Sequence, residues 1–214
     1  MTTSGAGDPV RHRRTLPAGY FDALYRDAED PWGLGRSWYE QRKRTMTMAA
    51  MPRARFRSAF EPGCATGLLT ELLATRCDRL LATDIAAEPL AALARRFASN
   101  PQVDVRQLAV PRQWPDGEFD LVVLSEIGYY LDPTDLSAVI DRTVGCLAVD
   151  GVVVACHWRH RASGYPLTGD QVHEALIAES GLVVLVAHLE EDFRLDVLGR
   201  PGTPSVARAD GVLT

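Results

Sequence analysis

The segment Glu61-Pro62-Gly63-Cys64-Ala65-Thr66-Gly67 constrains this chain more than any other, because of what flanks it. Before it, Phe56 to Phe60 reads as a strand. After it, Leu68, Leu69, Leu72 and Leu73 recur at helical spacing. A strand that turns through small residues into a helix lets backbone approach a ligand closely and aims free N–H groups at it. Asp84 follows seventeen residues beyond Gly67, at the end of the next strand-like run, Arg79 to Asp84. An acid about 20 residues past such a turn is placed to bind ribose hydroxyls, although it can also cap the helix that follows. The combination calls for a cofactor that carries a ribose, held at the opening of a βαβ unit.

Spacing discriminates among such cofactors. A G-x-G-x-x-G fingerprint begun at Gly63 would need a small residue where Leu68 stands, and no G-K-[ST] triplet is present for a phosphate loop. The remaining pattern, acid-x-Gly-x-small-x-Gly, resembles motif I of the class I S-adenosylmethionine-dependent methyltransferases. That resemblance implies that Glu61 helps hold the ammonium of the cofactor's amino-acid tail. It implies a turn of Gly63, Cys64, Ala65 and Gly67 beneath the cofactor, Asp84 on the ribose and Ile85 against the adenine. Ala65 replaces the family's usual middle glycine and adds a methyl group there. Ala109 and Val110 stand where relatives bind the adenine edge through backbone groups, and Ala109 lacks the acid that many of them carry. Ser125, ending the central strand, belongs to the same expected set.

With 214 residues, 46% hydrophobic and 24% charged, the chain suits a single domain with a full core. Residues 1–15 and 201–214 read as mobile tails, 16–200 as one domain, and 16–55 within it as a helical lid. A net charge of −5 does not favour nucleic acid as a partner, and no apolar run has the roughly 18 residues of a membrane helix. The N-terminus lacks the apolar core of a secretory signal. Cys64, Cys77, Cys146 and Cys156 form no C-x-x-C pair. A cytoplasmic protein with free thiols is therefore expected. His157 and His160 have no third ligand near them in sequence, so no metal is expected.

Helical and strand-like segments alternate along the chain. Helices are expected over 20–28, 37–51 and 86–98, after Pro133, and from an N-cap at Thr168 to near Gly181. Strands are expected over 103–108, 118–125 and 152–157, the last entered through a turn at Asp150-Gly151. A closing pair, 182–188 and 193–198, is short-linked enough to be antiparallel. The alternation predicts a doubly wound α/β sheet.

Further segments occur in a fixed order: Pro31-Trp32, Ser37-x-Tyr39-Glu40-x-x-Lys43, Val110-Pro111-x-x-Trp114-Pro115, Phe119 to Glu126, Tyr129-Tyr130-Leu131, His157-Trp158 and Tyr165 to Asp170. Over residues 20–199 they resemble the nodulation protein S (NodS) family of methyltransferases. The resemblance implies a Rossmann-like, seven-stranded, mostly parallel sheet with an antiparallel C-terminal hairpin. It implies methylation of an amine on a deacetylated glucosamine unit of a chitooligosaccharide. The cofactor would be S-adenosyl-L-methionine, leaving S-adenosyl-L-homocysteine, and the partner a small saccharide-containing acceptor. The oligomeric state, monomer or homodimer, is open.

Transfer of a methyl group from a sulfonium needs alignment and exclusion of water, and an amine acceptor must arrive neutral. His157 and Glu126, both at carboxyl ends of strands, are the candidate catalytic residues, with His157 the first choice as proton acceptor. Tyr129, Tyr130, Trp158 and Tyr165 are the candidate acceptor-binding aromatics. The helix over 37–51, with Tyr39, is expected to close over the cofactor. Three other readings stay open: O-methylation of a sugar or natural product, a catalytically silent cofactor-binding subunit, and an NAD-dependent oxidoreductase. Leu68 disfavours the last.

Overall fold

A computed structural model describes residues 14–213. The expected N-terminal tail therefore lies outside the described residues except for Arg14 and Thr15. Two helices come first, α1 (Ala18–Asp27) and α2 (Trp38–Ala50), followed by β1 (Ala59–Pro62), α3 (Leu68–Ala74), β2 (Leu80–Asp84), α4 (Ala87–Arg96), β3 (Val103–Gln107) and β4 (Phe119–Ser125). A 3-10 turn, Gly128–Tyr130, leads to α5 (Pro133–Cys146), β5 (Leu147–Trp158), α6 (Gly169–Glu179), β6 (Val183–Leu189), β7 (Phe193–Gly199) and a one-turn helix α7 (Val206–Ala209). Strand order is β3-β2-β1-β4-β5-β7-β6, with β1 to β5 parallel and β7 antiparallel to both its neighbours. This is the expected seven-stranded α/β sheet with its antiparallel closing pair.

The central strands are apolar on both faces because helices cover both. In β4, Val122 and Leu124 pack with Val153 and Ala155 of β5 under α5 and α6, through Leu136, Val139, Ile140, Val172 and Leu176. The alternate residues Leu121, Val123, Val152 and Val154 face Leu69 and Leu73 of α3. Local signals agree with this packing. Asp132 Oδ1 accepts from the Asp135 N–H at 3.0 Å with Pro133 beginning α5, and Thr168 forms a reciprocal capping box with Gln171. Such a cap contributes about 1 kcal/mol.

Three boundaries differ from those the sequence suggests. Phe56 makes only an isolated bridge to Cys77, so β1 begins at Ala59 and carries Glu61 and Pro62 inside it. Asp150-Gly151 does not form a turn before a strand. β5 begins at Leu147, and the pairing with β4 shifts register between Phe119↔Leu147 and Leu121↔Val152, so these residues form an irregular stretch within the strand. Asp150 is held there by Arg53 and Arg57. The stretch read as a C-terminal tail carries α7, whose Ser205 side chain accepts from Arg208 N–H.

Gly67 ends the motif I turn with φ +79°, and a Cβ added there would meet Leu93 Cδ1 of α4 at 2.1 Å. Leu93 is completely buried, so it has little room to yield. Gly67→Ala should therefore cost about 2 kcal/mol or more, from the left-handed backbone and from overpacking together. Urea unfolding of the variant against the parent protein measures this as a lower midpoint at unchanged slope.

Candidate active site

The strand order reverses between β1 and β4, and in open α/β sheets ligands bind outside the carboxyl ends of the strands at that crevice. A cavity of about 480 Å³ lies there, within the range of small-molecule sites. The sheet supplies its floor. Residues from α1, α2 and their connection supply a wall, among them Phe21, Tyr25, Trp32 and Tyr39. Residues from Leu16 to Thr47 of the 16–55 segment expected to form a helical lid thus line the cavity.

One half of the cavity is the motif I turn. Gly63 takes φ +76° and Ala65 takes φ +49°, a backbone region that costs a residue with a Cβ about 1–3 kcal/mol. What holds Ala65 there is Asp84. The Ala65 N–H donates to Asp84 Oδ2 and the Ala86 N–H donates to Oδ1, both at 2.9 Å. Asp84 thus ties the turn to the start of α4 while lining the cavity. Burial raises its pKa, and the backbone N–H groups of Ala86, Ala65 and Ile85 oppose that rise. Glu61 is buried and accepts from the Thr70 hydroxyl at 2.7 Å. Burial pushes its carboxyl up to about 8, reinforced by the nearby Asp84 charge and partly opposed by the Thr70 hydrogen bond. Cys64, Ile85, Val110 and Ser125 line the same half.

The other half is organised around Glu126. Its φ of +56° turns the chain sharply after β4. Lys43 of α2 reaches across to Glu126 Oε1 at 2.8 Å and also pairs with Glu40 at 2.9 Å. The Trp158 N–H donates to Glu126 Oε2 at 3.2 Å, and the Tyr129 hydroxyl donates to the same oxygen. Lys43 is only 4% exposed. Burial alone would lower its pKa, but the charges of Glu126 and Glu40 more than offset that, and the net shift is upward. Glu40 and Glu126 flank this ammonium, and Arg44, which also lines the cavity, interacts with Glu40. Beside them stands an aromatic wall. Tyr129 stacks on Tyr165 at 5.3 Å between ring centroids, Tyr130 meets Tyr165 edge-on at 4.8 Å, and Trp158 meets Tyr39 edge-on at 5.5 Å.

Three of the expected site residues do not line the cavity. His157 is completely buried beneath the 3-10 turn, with Nε2 accepting from the Gly128 N–H at 3.1 Å and Nδ1 facing His173 at 3.1 Å. Burial lowers its pKa well below the ordinary histidine value, reinforced by His173 and Lys43. A ring with both nitrogens engaged and no face on the cavity cannot take a proton from an acceptor there. Gly67 serves the contact with α4 described above. Ala109 closes a local turn on itself, its N–H donating to Gln113 Oε1 at 2.9 Å and its carbonyl accepting from Gln113 N–H at 3.0 Å.

Lys43, Glu40 and Tyr25 are cavity residues that the sequence did not mark as site residues. Lys43 and Glu40 stand in the Ser37-x-Tyr39-Glu40-x-x-Lys43 segment, and that i, i+3 acid–base pair was the available signal. Tyr25 Oη and Tyr39 Oη are buried without a hydrogen-bond partner among the described residues. Buried hydroxyls are ordinarily paired, so these two point to a ligand. Among the same residues no group of three or more His, Cys, Asp or Glu side chains could hold a metal ion, and no helix is long and apolar enough to cross a membrane.

Comparison with known proteins identifies the family. The family model described as nodulation protein S (NodS) matches residues 17–165. The nodulation protein S of Sinorhizobium fredii is 29% identical over 189 residues, spanning 80% of this chain and 85% of that protein. The crystal structure of N-methyltransferase NodS from Bradyrhizobium japonicum WM9, in complex with S-adenosyl-L-homocysteine, superposes with a TM-score of 0.75 at 26% identity, covering 84% of this chain and 97% of that one. A Pseudomonas syringae chain whose crystal structure is described as that of a methyltransferase is 44% identical, with a TM-score of 0.69 and coverage of 77% and 100%. The chain belongs to the nodulation protein S (NodS) family of S-adenosylmethionine-dependent methyltransferases.

Proposed function

We propose that this enzyme methylates the amine of an amino sugar or glycosylated metabolite, with the cofactor against the motif I turn and the acceptor against Glu126 and the aromatic wall. The observation that carries the choice of nitrogen over oxygen is the withdrawal of His157 from the cavity. A hydroxyl acceptor must lose its proton at or near the transition state and needs a strong base beside it. An amine needs only to be neutral when it reacts. Among the described residues no histidine lines the cavity, and the carboxylate nearest the aromatic wall, Glu126, is already paired with Lys43.

The residues present fit the cofactor. S-adenosyl-L-methionine, when bound, supplies a methyl group activated by a sulfonium. Glu61 is a buried carboxyl with no cationic partner among the described residues, suited to the ammonium of an amino-acid tail. Asp84 has lone pairs left after its two backbone bonds for a ribose hydroxyl, and the Tyr25 and Tyr39 hydroxyls await partners. On the acceptor side, the Glu126 carboxylate draws in an ammonium. The Glu126 carboxylate takes its proton, and the stacked Tyr129 and Tyr165 rings hold a sugar face and keep water out.

Three outcomes check this reading. Calorimetric titration should show S-adenosyl-L-homocysteine binding and no NAD binding. Asp84→Ala should weaken the former at least about tenfold, since it removes both the ribose partner and the clamp on Ala65. Absence of binding by the parent protein would favour a silent scaffold. Binding should also release a proton, because Glu61 holds one up to about pH 8 in the free site and would give it up beside a bound ammonium. Affinity should then rise with pH by up to about tenfold per unit below 8 and level off above it, and titration in buffers of different ionisation enthalpy counts the proton. Finally, with a partly deacetylated chitooligosaccharide as acceptor, Glu126→Gln should lower kcat by about 10²-fold while leaving S-adenosyl-L-homocysteine affinity within a few-fold. An unchanged kcat would remove Glu126 from the reaction.

A further inference from the structure

Behind the cavity, His157 of β5, His173 of α6 and Asp196 of β7 form a buried chain whose hydrogen bonds have one permitted direction. Both histidines are completely buried and Asp196 is 1% exposed. The Gly128 N–H can only donate, so His157 Nε2, 3.1 Å away, must present its lone pair. A neutral His157 then carries its proton on Nδ1, which faces His173 Nε2 at 3.1 Å. That nitrogen must accept, which leaves the His173 proton on Nδ1, donated to Asp196 Oδ2 at 2.7 Å. Asp196 Oδ2 also accepts from Arg194 Nε at 2.8 Å, anchoring the far end in the antiparallel strand.

Two glycines make this chain sterically possible. A Cβ on Gly128 would meet Val172 Cγ1 at 2.4 Å, and one on Gly169 would meet the Trp158 carbonyl oxygen at 2.2 Å. Only glycine lets the 3-10 turn lie on α6, and α6 on the end of β5, closely enough for the rings to meet. The near end of the chain bears directly on the acceptor side of the cavity. Gly128 follows Glu126, whose φ is +56°, by two residues, and begins the turn that carries Tyr129 and Tyr130. Tyr129 in turn bonds Glu126 and stacks on Tyr165.

We propose that His157, His173 and Asp196 are positioning residues that fix the 126–130 turn, and with it Glu126 and the tyrosine wall, by holding the Gly128 amide from below. They touch neither cofactor nor acceptor. An apolar side chain at 157 would leave the Gly128 N–H buried and unpaired, and the turn would move to find another partner. Only the kinetic part of the following test rests on the amine-methyltransferase reading.

In the ¹⁵N-labelled parent protein, two-bond ¹H–¹⁵N correlation of the imidazoles should show both His157 and His173 as Nδ1–H tautomers. A proton on His157 Nε2 would overturn the proposal, and this measurement needs no variant to fold. Amide exchange at Gly128 should stay slow in His157→Gln, whose side-chain oxygen replaces Nε2, and quicken at least about tenfold in His157→Phe. Equal exchange in the two variants would also overturn it. With a partly deacetylated chitooligosaccharide, His157→Phe should raise KM about tenfold while S-adenosyl-L-homocysteine affinity stays within about twofold, and His157→Gln should restore KM. Equal loss of kcat in both variants with Gly128 protection intact would make the imidazole itself the proton acceptor. If the parent protein does not methylate this acceptor, the amine reading fails, while tautomer and exchange still decide the positioning role.

Discussion

A single buried ammonium, that of Lys43, joins the helices preceding the sheet to the sheet's carboxyl edge. It bridges Glu40 on its own helix and Glu126 at the end of β4, and it lies over the Tyr39 ring at 4.9 Å. Removing one partner from such a buried group leaves an uncompensated charge, which costs about 3–5 kcal/mol. That makes the contact between α2 and the sheet specific as well as favourable. It also accounts for how Glu126 persists in a left-handed conformation. Lys43, the Trp158 amide and the Tyr129 hydroxyl all converge on its carboxylate, so the surroundings over-determine a backbone that would otherwise relax.

The motif I turn shows how three small residues meet different demands. Gly67 is needed for α4, since a methyl group would collide with Leu93. Gly63, also at positive φ, is less crowded, with its nearest neighbour, Ile127 Cδ1, 3.3 Å from an added Cβ. Ala65 is the departure from the usual glycine, and it is tolerated because the Asp84 clamp offsets the cost of its positive φ. Asp84 does not cap α4, whose N-cap is Ala86; it accepts from that residue's N–H and still faces the cavity. One carboxylate secures the turn and the start of α4 with one lone pair on each oxygen and faces the cavity with the remainder.

Much of the fold was legible because its signals are local. Apolar periodicity marked the helices, continuous β-formers marked β4, Thr168 marked the start of α6, and the short link between 189 and 193 marked the antiparallel pair. The site was legible where a motif couples backbone to ligand, from Glu61 to Asp84. It was not legible where burial depends on tertiary packing. Lys43 lies between Arg42 and Arg44, and only the approach of α2 to β4 buries it. His157 failed for a related reason. Its parity with Val153 and Ala155 aims it at α6, but β5 is covered on both faces, so alternation carries no polar signal to say so.

That parity bears on the chemistry. A histidine at the carboxyl end of a central strand would be the natural base for deprotonating a hydroxyl if it faced the crevice. Here the register of β5 against β4 and β7 turns it to the opposite side, where its lone pair is spent on a backbone amide. Among the described residues, the acceptor side of the cavity presents the Glu126 carboxylate and phenol hydroxyls but no imidazole. Such an environment attracts a cation and opposes formation of an alkoxide, because a second negative charge beside Glu126 would be repelled through a medium of low polarity. An amine reacts in its neutral form, gains positive charge as the methyl group arrives and passes through no anion, so it meets no such opposition. The geometry of one strand thus biases the acceptor toward nitrogen before any acceptor contact is considered.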